Sequence, residues 1–345
     1  MPRDPQIVAE RVAAQGLSGK PARDPVAVAQ RLLAVQGQDP RGARLAIRAR
    51  SAGLSAADVD RAFTEDRSLL ITWLNRGTLH LIASEDYPLL QTLMTPPLHT
   101  SAKRRLGQEG VSPAQVERAM VTIERSLTDE GSLTRVQLRE RLEAAKVPTA
   151  KQALIHLLFL AAVRGIAVRG PMVGREHAYV LVSDWLGPQK PVDRERALAE
   201  LARRYLVGHG PADDRDLARW AGLPLRDSRA GLAAISKQLV ERPDGLVELK
   251  KRIPAEPLPG PRLLGAFEPL LLGWTSRDDI VGPHKLLVTI NGIFKPFALV
   301  GGRAVATWGL AGGKVTITPL GRIAKKDMAA LEADAEAVLE YMDGP

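Results

Sequence analysis

From Ser112 to Val182 the chain reads as helix, turn, helix, turn, helix and a two-stranded ribbon, an order that few folds satisfy. Ser112 to Leu127 sets apolar side chains along one face of a helix. Gly131-Ser132-Leu133-Thr134 then supplies a turn and a helix cap, and Val136, Leu138 and Leu142 line a second helix. A third helix runs from about Thr149 to Arg164 and stops at Gly165. Ile166-Ala167-Val168 and Tyr179-Val180-Leu181-Val182 read as short strands around a glycine- and proline-containing tip. This is the plan of a winged helix.

The plan recurs on both sides. Toward the C-terminus it covers Arg194 to Gly208, Pro211 to Trp220 and Ser228 to Val240, with a wing through Leu246, Val247 and Leu249. Toward the N-terminus it predicts a helix from Val26 to Val35, a second from Ala56 to Phe63 capped by Ser55, a third from Ser68 to Arg76, and a wing strand at Thr78 to Ile82. Four prolines between Pro254 and Pro261 then forbid regular structure. Beyond them, short apolar runs at 286–290, 294–300, 304–308 and 314–319 alternate with Asn291-Gly292, Gly301-Gly302 and Gly312-Gly313, the chemistry of tight hairpins. A closing helix is predicted from Lys326 to Met342. The expected fold is α+β, with winged helices at 1–95, 96–188 and 189–252 and, at 253–345, a small antiparallel sheet or β-barrel domain closed by its terminal helix.

Composition narrows the functional classes. The absence of cysteine excludes disulfides, thiolate metal sites and cysteine nucleophiles, and six scattered histidines lack ligand spacing, so no metal is expected. No Gly-x-Gly-x-x-Gly or Gly-Lys-Ser/Thr tract points to a nucleotide cofactor. No apolar run reaches the length of about 18 residues that a spanning helix needs, and Met1-Pro2-Arg3-Asp4-Pro5 is polar and proline-broken, so a soluble cytoplasmic protein is expected, without a membrane partner. The net charge is +9, yet residues 251–345 hold 11 basic and 10 acidic side chains. The surplus therefore belongs to the predicted winged helices, which favours a nucleic-acid partner. Lys103, Arg104 and Arg105, expected on a loop beside Pro96-Pro97 and Gly107, are either phosphate contacts or an ordinary solvated charge run.

One tract invites chemistry. In Gln36-Gly37-Gln38-Asp39-Pro40 the proline pushes Asp39 into an extended conformation, and in extended chain residues two apart point the same way. Gln36 and Gln38 can then converge on one small object. Each amide offers one acceptor and two donors, enough to orient a water, but neither supplies a proton as an acid would. The alternative is a helix end whose glutamines cap backbone groups.

Taken together, Gln36 to Arg41, Arg76-Gly77-Thr78-Leu79-His80, Gly210 to Asp214, Gly222-Leu223, Leu263 to Glu268 and Asn291 to Pro296 resemble the motifs of the winged-helix DNA glycosylases of the AlkZ and YcaQ type. The resemblance covers the chain from about Asp24 to the terminal helix. It implies three winged helices and a β-barrel domain in a C-shaped clamp around double-stranded DNA, and a monomer. It also implies excision of N7-alkylated purines, in repair or antibiotic self-resistance, with bulky or crosslinked adducts handled on an open concave surface. The family's signature of glutamine, aliphatic residue, then glutamine or aspartate lands on Gln36 and Gln38 as its catalytic pair. Gly37 departs from the aliphatic middle position and leaves the tract more flexible.

Arg41, Arg76, Thr78, His80 and Arg277 are further candidates for contact with DNA. For His80 the alternative is a satisfied structural histidine, and for Arg277 a structural salt bridge. Two other functional classes stand beside the glycosylase. A non-catalytic DNA-binding regulator would prefer one undamaged sequence, and a protein-interaction scaffold would lack steeply salt-dependent DNA affinity.

Overall fold

The computed structural model describes residues 5–284, 287–289 and 291–343. The chain begins with α1 (Pro5–Ala14), α2 (Pro25–Leu32), β1 (Val35–Gln36), α3 (Pro40–Arg48) and α4 (Ala56–Thr64). Next come β2 (Leu69–Leu74), β3 (Thr78–Ala83), α5 (Tyr87–Met94), α6 (Pro96–Gln108), α7 (Pro113–Glu130), α8 (Arg135–Ala144) and α9 (Ala153–Val163). They are followed by β4 (Ala167–Val173), β5 (Glu176–Leu181), α10 (Val182–Leu186), α11 (Arg194–His209), α12 (Asp214–Ala221), α13 (Leu225–Ala234), β6 (Leu239–Glu241) and β7 (Val247–Leu249). The chain ends with β8 (Arg262–Leu264), α14 (Asp278–Val281), β9 (Phe297–Val300), β10 (Arg303–Ala311), β11 (Lys314–Pro319) and α15 (Lys325–Asp343). Two compact units result, one from the residues up to Val59 together with those from Glu195 onward, the other from Asp60–Arg194.

In the unit of Asp60–Arg194, local chemistry sets the helix starts. Ser112 Oγ accepts from the Gln115 amide while the Gln115 side chain accepts from the Ser112 amide, and Thr134 with Gln137 repeats the box at α8. Each box satisfies two amides that a helix otherwise leaves orphaned. Ile123, Leu138, Leu142, Leu157 and Leu158 meet in one core. The hairpins β2–β3 and β4–β5 lie side by side in the antiparallel order β3-β2-β4-β5.

The structure corrects two sequence expectations here. The run Ser68 to Arg76 is not a helix: Leu69–Leu74 is strand β2, every residue of it buried. A strand covered on both faces loses its alternation, and an uninterrupted apolar run is then indistinguishable from a buried helix by pattern. Lys103, Arg104 and Arg105 stand on helix α6 rather than on a loop, although all three are exposed. Pro96 and Pro97 open that helix, where a missing N–H costs nothing.

In the unit formed by both ends of the chain, helix α2 stops at Leu32 rather than Val35, because Leu33 turns into the left-handed region at φ 62. Helix α3 was not expected from the sequence at all. Asp39-Pro40 ends one element, but it also supplies the N-cap and first residue of the next, with Asp39 accepting from the Gly42 amide at 2.7 Å. Strand β6 at Leu239–Glu241 replaces the expected end of the third helix at Val240. Strands β8 to β11 form an antiparallel sheet in the order β11-β10-β9-β8, with α15 packed on it through Leu331, Ala335 and Val338. Among the described residues this sheet is open, so the expected barrel is not observed. Leu286 and Ile290 of the expected strand 286–290, and Met1 to Asp4, lie outside the described residues. Val288 does bridge Phe294 across the Asn291-Gly292 turn.

Helix α3 approaches the segment after β8 backbone to backbone. A Cβ on Gly42 would collide with the Ala266 carbonyl oxygen, and one on Gly265 would lie 3.0 Å from the Gly42 Cα. Gly42→Ala must push these backbones apart, and it should lower stability by about 1–3 kcal/mol, as overpacking does. Urea denaturation followed by circular dichroism would register the loss. Because Gly42 also holds the cap of Asp39, base release should fall in the same variant.

Candidate active site

The amide pair sits between two helix ends. Leu33, fully buried, carries the chain out of α2, and Asp39, at φ −109 and ψ 110, carries it into α3. Between them Gln36 is 6% exposed and Gln38 is exposed. Gln36 Nε2 donates to Gln38 Oε1 at 2.6 Å. The two side chains therefore do converge, as their spacing predicts, and the bond fixes the sense of both amides. The Gln36 carbonyl oxygen and the Gln38 amide nitrogen are left for other partners.

In the same unit a set of buried arginines ties distant segments together. Arg50 donates to the Gln15 carbonyl, the Gln15 side chain, the Ala46 carbonyl and Glu268, at side-chain exposures of 1% for Arg50 and 0% for Glu268. Arg11 reaches Asp216 and the Pro211 carbonyl and lies over the Trp274 ring, 4.5 Å from its centre. Arg48 grips Asp334 of α15 through both carboxylate oxygens, and Tyr341 donates to the Arg44 carbonyl. Apart from the Ala46 carbonyl, one turn before Arg50, each of these partners is at least 35 positions from the other.

Arg41, on the first turn of α3, is exposed and donates to the Leu310 carbonyl at the end of β10. Arg277 caps α14 with its guanidinium 4.9 Å from the Phe294 ring centre. Burial, and then Arg219, lower its pKa, against an opposing pull from Asp278. Phe294 in turn meets Phe267, half-buried and held at φ 54 directly after the Ala266 that faces Gly42. The motif Leu263 to Glu268 is visible in the sequence. The strained backbone of Phe267 and the buried partner of Glu268 leave no local mark.

In the other unit, Arg76 is exposed at φ 57, and Thr78 Oγ1 donates to the Asn75 carbonyl. His80 is 3% exposed with Nδ1 2.9 Å from the Thr78 carbonyl. Burial, and then the charge of Arg76, pull its pKa down to about 3, against the pull of that carbonyl. A neutral ring beside a carbonyl oxygen donates from Nδ1. His80 is thus a buried, uncharged, hydrogen-bonded residue of strand β3. Lys103, Arg104 and Arg105 remain exposed on α6, with Arg105 donating to Gln108.

His209 of α11, stacked on Tyr205 and against Trp220, is likewise lowered to about 3 by burial. For both histidines the unfolded chain binds more protons than the folded one between pH 3 and 6.5. Their contribution is complete above pH 6.5 and is lost as the pH falls. We expect a decline on the order of 1 kcal/mol per histidine for each pH unit below 6. Urea midpoints measured from pH 7 to pH 4.5 would show it, and His209→Gln would flatten the slope.

The class of protein is that of DNA glycosylases: the family model described as DNA glycosylase AlkZ-like matches residues 29–341, and the chain belongs to that family. It is 28% identical to the interstrand DNA cross-link repair glycosylase of Streptomyces sahachiroi, over 96% of this chain and 95% of that one. Among solved structures it is similar to the Streptomyces sahachiroi DNA glycosylase AlkZ, with a TM-score of 0.77 and 25% identity over 99% of this chain and 97% of the other. Among the described residues no helix is long and apolar enough to cross a membrane.

Proposed function

We propose that this glycosylase excises N7-alkylated purines from double-stranded DNA by hydrolysis and leaves an abasic site. The single observation that carries the reading is the Gln36–Gln38 hydrogen bond, which presents two oriented amides without an acid. An N7-alkylated purine already bears positive charge, so its leaving needs no proton donor. Water attacks C1′, the bond to N9 breaks, its electron pair neutralises the purine ring, and the proton of the water passes to solvent. The Gln36 carbonyl oxygen accepts from that water and faces the positive charge developing on the sugar, a fixed dipole that needs no reorganisation as the charge forms. No lysine adjoins the tract, which supports hydrolysis over a Schiff base with strand cleavage.

The relative's printed role in interstrand cross-link repair supports adducts larger than a methyl group, including crosslinks. We read the three helical triplets, α2 to α4, α7 to α9 and α11 to α13, each followed by a hairpin, as winged helices acting on one duplex. Arg41, Arg76, Lys103 to Arg105 and Arg277 are then its cationic contacts. The test is release of base from a duplex carrying one 7-methylguanine, and of one strand from a duplex joined through N7, read by alkaline cleavage of the abasic product. Release from neither substrate sinks the reading.

A further inference from the structure

In the Asp60–Arg194 unit, the helix that a helix-turn-helix protein would place in the major groove is not free to go there. Nine of the eleven residues of α9 are buried, and Ile155 and His156 are half-buried. Its sequence, Ala-Leu-Ile-His-Leu-Leu-Phe-Leu-Ala-Ala-Val, holds one polar side chain. Reading base edges takes several polar side chains on an exposed face, and seating α9 in a groove would empty the core that Leu157, Leu158 and Leu160 fill. The corresponding α13 differs, since it exposes Arg226 and Arg229.

What the α7–α9 triplet does offer lies in the turn before α9. Arg139, Lys146 and Lys151, all exposed, line an open cleft of about 610 Å³ together with Glu143 and Thr149. Glu143 accepts a hydrogen bond from Thr149, and one carboxylate against three cations leaves the cleft net positive. Helix α8 ends with the Val147 amide bonded to the Leu142 carbonyl and the Lys146 amide to that of Glu143. In that motif the left-handed position is usually glycine, yet Lys146 occupies it at φ 58, and Lys151 follows at φ 53. Two lysines stand where the backbone disfavours any side chain, and both face one cleft.

We infer that this cleft seats the DNA phosphate backbone, so that the α7–α9 triplet anchors the duplex without reading its sequence. The inference rests on the DNA-binding reading above. Backbone contacts from lysine and arginine carry no sequence information, and each neutralised phosphate adds about 0.9 to the salt slope of binding.

The experiment is fluorescence anisotropy of undamaged duplexes of two unrelated sequences, titrated at several salt concentrations, for wild type and for the double variant Lys146→Gly/Lys151→Gly. Glycine removes both charges and suits both backbone conformations. The variant should show a slope smaller by about 2, a roughly tenfold weaker affinity on both sequences at moderate salt, and an unchanged or higher Tm. An unchanged slope and affinity would overturn the inference, as would a lower Tm with an unchanged slope, which would assign the lysines to the fold. If the effect appears on only one of the two sequences, the sequence-independent anchor is overturned. Wild type without salt-dependent binding would instead remove the DNA-binding reading itself.

Discussion

Gln36→Ala and Gln38→Ala are each expected to slow base release roughly 10²–10³-fold, the range seen when one preorganised dipole is removed from a catalytic site. Affinity for undamaged duplex should stay near that of the wild type, because neither amide carries charge. The two variants should not add, since each amide holds the other through the 2.6 Å bond. Gln38→Glu should retain more activity than Gln38→Ala, because a carboxylate still accepts from Gln36 Nε2 and faces a cationic transition state favourably. Single-turnover release from a 7-methylguanine duplex distinguishes these outcomes. Equal rates for wild type and Gln36→Ala would move the chemistry elsewhere.

Glu268→Ala should cost about 3–5 kcal/mol of stability, because it strands the Arg50 guanidinium where its side chain is 1% exposed. The loss should exceed that of any exposed pair such as Arg125–Asp129, whose partners are more than half exposed. Replacing both partners by apolar side chains, as in Arg50→Met/Glu268→Leu, should recover much of the loss by removing the orphaned charge along with its partner. Urea denaturation of the three proteins reads the ordering. A double variant no more stable than Glu268→Ala would show that Arg50 matters through its bonds to Gln15 and Ala46 as much as through Glu268.

How much of this was legible in the sequence depended on where the determining contacts lie. Helices α7 and α8 announce themselves because Ser112 and Thr134 carry their caps within three residues. Strand β11 matches its predicted bounds because Gly312-Gly313 forces the turn. Helix α3 and strand β2 were misjudged for the opposite reason: Asp39-Pro40 serves equally as a stop and a start, and Leu69–Leu74 is buried on both faces. At the candidate site, the spacing of Gln36 and Gln38 predicted convergence, but not that one amide would be buried and the other exposed. The ion pairs Arg50–Glu268 and Arg11–Asp216 join residues 218 and 205 positions apart. No local pattern encodes such a partner.

The unit that holds the glutamines is closed by the far end of the chain, through Gly42 on Ala266, Arg48 on Asp334 and Tyr341 on the Arg44 carbonyl. During synthesis the segment bearing Gln36 leaves the ribosome well before Ala266, Asp334 and Tyr341, the residues that hold α3, have been made. Residues 60–194 have their own core and can fold while the rest is still being made. The tract must wait for them, so a chain stalled before α15 lacks the Arg48–Asp334 and Tyr341–Arg44 contacts that hold α3 beside it.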